Sequence, residues 1–226
     1  MTPVVIVGAS DQGHVAHEVL RAQGNCEIIG FLDDDVSVQG TAIHGVPVLG
    51  PLQWAVESHR RNLGFIVAIG DNDVRVALGS RLRTRGLRAV NAVHPSAVIM
   101  PRTSLGTGNL VCAGAILVTG ARLEDDVVIN TAATVDHDSI VQTGAQIAPG
   151  VHTGGRVTVG RGAFIGMGAV LAPGVMIGDR CIVGAGSVVL SDLPPDVLAF
   201  GTPAKVVKPL EDPVDWHTIL CGKCVG

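Results

Sequence analysis

The sequence predicts two structural units in series, a small α/β domain and then a parallel β-helix, closed by a polar tail. Three observations carry that expectation. From Val93 to about Pro194 an aliphatic residue recurs at every sixth position. Ahead of it, residues 4–7, 28–32 and 65–69 are short continuous apolar runs separated by helix-like stretches. The change of pattern falls at Val93-His94-Pro95, which sets the expected boundaries at 1–92, 93–208 and 209–226.

The repeat is read in blocks of six from Val93. The first positions run Val93, Ile99, Leu105, Val111 and onward to Val189, seventeen blocks without an insertion, and only Thr153 is not aliphatic. The fifth positions are small or β-branched, as at Ala115, Ala121, Val127, Ala133 and Ser139. A period of six fits neither a helix nor an alternating strand and is the mark of a hexapeptide β-helix. Each block is one side of a triangular coil. Its aliphatic residue points inward and stacks on the equivalent one coil above. Gly, Asp and Asn between the strands supply the turn conformations. Such a stack needs neighbours on both sides and therefore caps.

In the first unit, residues 4–7 read as a buried parallel strand. A glycine turn, Gly8 to Gly13, follows, then a helix with Val15, Ala16, Val19 and Leu20 on one face, ending near Gly24. Residues 28–32 form a second strand closed by Asp33-Asp34-Asp35, and 65–69 a third closed by Gly70-Asp71-Asn72. Helices are expected over 51–62 and 74–85, with a last strand over 87–93. This alternation gives a small parallel, Rossmann-like sheet with helices on its faces.

Composition narrows the function. Hydrophobic residues make up 47% of the 226 and aromatics 3%, with no Tyr, as a core of Val, Ile, Leu and Ala requires. A net charge of -4 argues against nucleic acid. No apolar run approaches the ~20 residues of a membrane span. The first residues, MTPVVIVGAS, lack a basic region and read as a strand, not a signal peptide. Five cysteines without framework spacing suit reduced thiols in a cytoplasm. The Cys221-x-x-Cys224 pair, with His217 as its one nearby extra ligand, is a weak metal signal.

Ligands of open parallel sheets bind at the carboxyl ends of strands. Here those ends carry Ser10, Asp33-Asp34 and Gly70-Asp71-Asn72, groups able to hydrogen-bond a base or ribose; solvated acidic turns have the same composition. Gly8-x-x-x-x-Gly13 between strand and helix suits a phosphate and equally a purely structural turn. In the repeat, His137 stands at the outward third position of its block, flanked by Asp136 and Asp138. Either carboxylate qualifies on spacing alone to orient the imidazole.

These pieces resemble the hexapeptide-repeat sugar O- and N-acyltransferases, typified by the sialic acid O-acetyltransferases and the bacillosamine N-acetyltransferases. The matching residues are Gly8-Ala9-Ser10, Phe31-Leu32-Asp33-Asp34, Ala68-Ile69-Gly70-Asp71-Asn72 with Arg75, Asn130-Thr131 with Asp136-His137-Asp138, and Gly201-x-Pro203-Ala204-Lys205. The resemblance implies a left-handed β-helix, an exception to right-handed crossovers, assembled as a homotrimer with acetyl-CoA in the groove between copies and no metal. It implies His137 as general base with Asp138 behind it and the Gly155 amide as oxyanion donor. It places coenzyme A along Gln146, Met167, Ala185 and Lys205, with Lys205 as readily a solvated lysine. It assigns a nucleotide-linked amino sugar to Ser10, Asp11, Gln12, Asp33, Asp34, Gly70 and Asn72. The expected activity is N-acetylation of that sugar, with O-acetylation of sialic acid or another sugar hydroxyl as the alternative. Two departures stand out. Asp11-Gln12 replaces a Gly-His pair, leaving Gln12 or His14 to take over. Gln146 replaces a second histidine, for which His152 is a weak substitute. A transferase-dead scaffold and a metal-dependent β-helix hydrase are the rival classes; the hydrase needs histidines spaced across coils, where this chain has His137 and His152.

Overall fold

The computed structural model describes residues 1–57 and 62–210. The tail with His217, Cys221 and Cys224 lies outside them, as does part of the expected helix over 51–62, whose described portion is α2 (Gln53–Glu57).

The first unit is a six-stranded sheet of β1 (Thr2–Val7), β2 (Cys26–Leu32), β3 (Ala42–Ile43), β4 (Val46–Gly50), β5 (Gly64–Val67) and β6 (Arg88–Ala89), in the order β3-β4-β2-β1-β5-β6. All pairs are parallel except the β3–β4 hairpin. The three expected strands are all present. Val4, Val5 and Ile6 of β1 are fully buried because helices cover both faces. The helix α1 (Asp11–Gln23) follows β1 and ends on Gly24 at φ 69, the left-handed cap that glycine adopts most easily. The helix α3 (Asn72–Thr84) starts two residues before the expected position, because the Asp71 side chain caps it by accepting from the Val74 N–H.

Two expectations need correcting. The β3–β4 hairpin was not foreseen; its turn, His44-Gly45, has both residues at positive φ, the twist a two-residue hairpin favours. The single strand expected over 87–93 is two. β6 joins the first sheet, while β7 (Ala92–Val93) pairs with Leu110 and Val111 in the repeat.

From β7 to β23 (Val188–Val189) every strand has two residues and ends on a first position of the six-residue pattern. Partners lie eighteen residues apart, for example Ile116 with Thr134 and Leu117 with Val135. The strands form three parallel faces, the coil read from the repeat. First-position residues such as Val111, Leu117, Ile129 and Val135 are fully buried, as are the fifth-position residues Ala115, Ala121 and Ala133. Each buried aliphatic side chain contributes about 1.5–3 kcal/mol. Fourth-position residues from Arg102 to Gly186 all have positive φ, non-glycine members such as Asp126 and Asp138 included. That is the corner at which the chain turns.

The first unit packs against the first face of the coil. Ala92, Leu110, Cys112 and Val128 share one apolar cluster with Val4, Ile6, Ala16 and Phe31. At the far end, β24 (Val197–Gly201) and β25 (Ala204–Pro209) form an antiparallel hairpin that continues the same face. No helix among the described residues is long and apolar enough to cross a membrane.

Candidate active site

His137 and Asp138 occupy the third and fourth positions of one block, at the corner between β14 (Thr134–Val135) and β15 (Ile140–Val141). Adjacent side chains on a strand face opposite ways; the positive φ of Asp138, 57°, folds the chain so that both point out of the same corner. His137 Nδ1 lies 2.9 Å from Asp138 Oδ2. The bond from His137 holds the Asp138 carboxyl below its ordinary range, with the charges of His137, Arg102 and Arg156 assisting against a small desolvation cost. The choice between flanking carboxylates is thereby resolved. Asp136 Oδ1 instead accepts the His137 backbone N–H at 2.6 Å.

Thr153, the one polar residue of the inward stack, sits one coil above. Its hydroxyl accepts the Asp136 N–H at 2.9 Å, so the lapse in the repeat serves the loop that carries the dyad. Gly155 lies directly over the imidazole, and a Cβ there would collide with His137 Nε2. Only glycine leaves room for both the ring and a bare backbone beside its free nitrogen. Gly155→Ala is therefore expected to displace the ring and lower kcat by about 10²-fold, the cost of roughly an ångström of misplacement, with the melting temperature unchanged. Steady-state kinetics alongside thermal unfolding checks this.

Met167 and Ala185 lie exposed, eighteen residues apart, on a different edge of the coil from His137 and Gly155. Lys205 is exposed on β25, opposite Phe200, and Phe200 lies over Gly184. Met167, Ala185 and Lys205 thus form one group and His137 and Gly155 another. His152 is exposed on the second face, with Nδ1 2.9 Å from the Thr134 hydroxyl.

Gln146 departs from its expected place. It is 6% exposed between Val128 and Phe164 on the face the first unit covers, and its Oε1 is buried without a partner. In one chain it does not open onto the edge that carries Met167 and Ala185.

At the strand ends of the first unit, the sheet order brings Ser10, Asp33, Asp34 and Gly70 side by side. Asp33 Oδ2 accepts the Ala9 N–H at 2.8 Å, Asp33 Oδ1 the Asp35 N–H at 3.0 Å and Asp34 Oδ1 the Leu52 N–H at 2.9 Å. These carboxylates first shape the rim of the cleft; Asp34 and Ser10 are exposed on it. Gly8 and Gly13 are required by close approach, since a Cβ at either would strike a backbone carbonyl, Ala68 O or Gly8 O. Asp11 opens α1 and is exposed. The Nε2 of Gln12 is buried with no partner.

Asn72 is a correction. It is fully buried and turned to the coil, donating to Gly162 O at 2.9 Å and accepting from Arg75 Nη2 at 2.6 Å. Its amide is spent on joining the two units, not on a ligand. Arg75, 1% exposed, donates to Asp126 O, Ile69 O and Gly144 O at 3.0, 2.8 and 2.7 Å. Burial pulls its guanidinium down to about 10, opposed by Asp126, Asp71 and Asp73. Beside it Arg83 grips Asp126 through two bonds of 2.7 and 2.8 Å. Sequence reasoning missed this clamp because Asp126 and Gly144 lie 51 and 69 residues beyond Arg75.

A rigid β-helix carrying an imidazole–carboxylate dyad beside a bare backbone, joined to a parallel sheet with polar strand ends, defines a hexapeptide-repeat acyltransferase. Residues 3–82 match the family described as PglD N-terminal domain, and 156–191 that of bacterial transferase hexapeptide repeats. A variant of GDP-perosamine N-acetyl transferase from Caulobacter crescentus, solved in complex with CoA and GDP-perosamine, is 40% identical with a TM-score of 0.86, covering 91% of this chain and 97% of that one. The acetyltransferase domain of PglB from Neisseria gonorrhoeae, in complex with acetyl coenzyme A, is 31% identical with a TM-score of 0.86, over 91% and 99%. UDP-N-acetylbacillosamine N-acetyltransferase of Bacillus subtilis is 32% identical over 115 residues, 50% of this chain and 52% of that protein's length. The chain belongs to this family of hexapeptide-repeat N-acetyltransferases.

Proposed function

We propose that the protein transfers an acetyl group from acetyl-CoA to the amino group of a nucleotide-linked amino sugar, in the cytoplasm. The observation that carries this reading is the His137–Asp138 dyad with its second ring nitrogen against Gly155. The sugar amine attacks the thioester carbonyl as His137 Nε2 takes its proton. Asp138 holds the tautomer and stabilises the imidazolium. The Gly155 N–H steadies the oxyanion. Collapse of the tetrahedral intermediate expels the coenzyme thiolate, which takes up the proton. No acyl-enzyme forms. Ser10, Asp11, Gln12, Asp34 and Gly70 hold the nucleotide. Two solved structures that align with 91% of this chain, at 40% and 31% identity, hold CoA with GDP-perosamine and acetyl coenzyme A respectively.

Incubation with acetyl-CoA and a panel of UDP-, dTDP- and GDP-linked amino sugars is expected to release free thiol with at least one of them. Release with none overturns the reading.

The working form is a homotrimer of left-handed coils. The edge with His137 and Gly155 and the edge with Met167, Ala185 and Lys205 belong to one groove only when two copies meet. The apolar side chains Val98, Val170, Met176 and Leu190, 42–62% exposed in one chain, supply the contact. Light scattering is expected to give three times the chain mass. A fully active monomer contradicts it.

A further inference from the structure

A second cluster of reactive side chains lies on the first unit, where α1 meets the β3–β4 hairpin. His17 is 4% exposed, with Nδ1 3.1 Å from Glu18 Oε1. His44, at the tip of the hairpin, has φ 50. Its ring centroid lies 5.2 Å from that of His17, with 15° between the planes, and 5.2 Å from that of His14, edge-on at 78°. Single donor atoms of His17, Glu18 and His44 all fall within 4.8 Å of one another. Among the described residues, His14 and His44 have no hydrogen-bond partner for their ring nitrogens.

Two imidazoles and a carboxylate converging where α1 meets the hairpin match the donor preference of zinc-class ions. We propose that His17, Glu18 and His44, with water completing the tetrahedron, bind one zinc-class divalent ion that ties the hairpin to α1. Tetrahedral ligands at about 2.0–2.2 Å from zinc sit roughly 3.4 Å apart, so the cluster must close by about 1.4 Å. His44 supplies the movement. It is an exposed side chain on a two-residue turn, and its ring rotates out of the stacked pose, since an imidazole ligates through a lone pair in its own plane. The ion takes no part in acyl transfer, which belongs to the coil. Its effect falls on the cleft wall, because β4 continues to Gly50, whose carbonyl accepts the Asp33 N–H at 2.9 Å.

The test uses the full chain stripped with chelator and titrated with Co(II), then with competing Zn(II), read by visible d–d absorption and calorimetry. The Cys221→Ser/Cys224→Ser chain is run in parallel, because the tail offers another ligand set. One equivalent of ion is expected in both chains, weakened by more than about a hundredfold in His44→Asn, beyond the roughly 10–100-fold that losing an outer partner costs. Asparagine tolerates the positive φ, so this variant keeps the hairpin; His17→Gln gives a second reading. Absence of binding, unchanged affinity in His44→Asn, or loss of the ion in the cysteine variant each overturns the proposal.

Discussion

Replacing His137 by alanine is expected to lower kcat by about 10²–10⁴-fold, the range for removal of a positioned general base, while the affinity for acetyl-CoA and the melting temperature stay close to wild type. The side chain is 40% exposed and carries no core packing, so the fold has little to lose. A variant with wild-type turnover refutes the assignment. Asp138→Asn is the sharper companion. It preserves shape but replaces the carboxylate that accepts from Nδ1, so kcat should fall with little change in KM. The Asp138 carboxyl is depressed by the His137 bond. Its interaction is therefore complete above the ordinary carboxylate range of about 4 and is lost only as pH falls through the lowered value. The dyad accordingly stays intact through the neutral range, and activity lost there on acidification does not come from Asp138.

Arg75→Met is expected to destabilise the chain by about 3–5 kcal/mol, the cost of breaking a buried charged network from one side. The substitution leaves the carbonyls of Asp126, Ile69 and Gly144 and the Asn72 amide oxygen without their donor, all at the junction of the two units. Each buried acceptor stranded in this way costs about 1–3 kcal/mol. Methionine recovers some of the packing but none of the bonds. Urea unfolding should show a lower midpoint, and a loss below about 1 kcal/mol would mean the units are held by the apolar seam around Leu110 and Val128 instead. Activity adds a second readout. The residues after Asn72 connect the nucleotide cleft to the coil, so loosening the clamp should raise KM for the sugar even in molecules that remain folded.

The coil was legible because its signal is local and redundant. Every block states the same inward residue, and the one lapse, Thr153, is the residue whose hydroxyl accepts the Asp136 N–H beside the dyad. His137 and Gly155 were legible through the resemblance, eighteen residues apart and hence on neighbouring coils. What stayed hidden depends on pairing between distant segments. Asn72 reads like a strand-end ligand, yet its partners are at Gly162 and Ala163, 90 and 91 residues on. Gln146 occupies a position whose side chain faces outward, and nothing local says that another unit will cover that face. The β3–β4 hairpin lacked both an alternating pattern and an Asn-Gly turn; His44-Gly45 does the same work, histidine being one of the non-glycine residues enriched at positive φ.

The unbroken phase of six has a consequence for how such a chain can change. Losing or gaining one residue anywhere between Arg102 and Gly186 would shift every later side chain out of step, turning inward aliphatics onto the surface and polar corners into the interior. Lengthening is tolerable only in steps of a full eighteen-residue circuit, or as a loop budding from a corner. New substrate preference must therefore arise by exchange of single residues along the grooves, or in the leading unit, whose connections have no such arithmetic to keep.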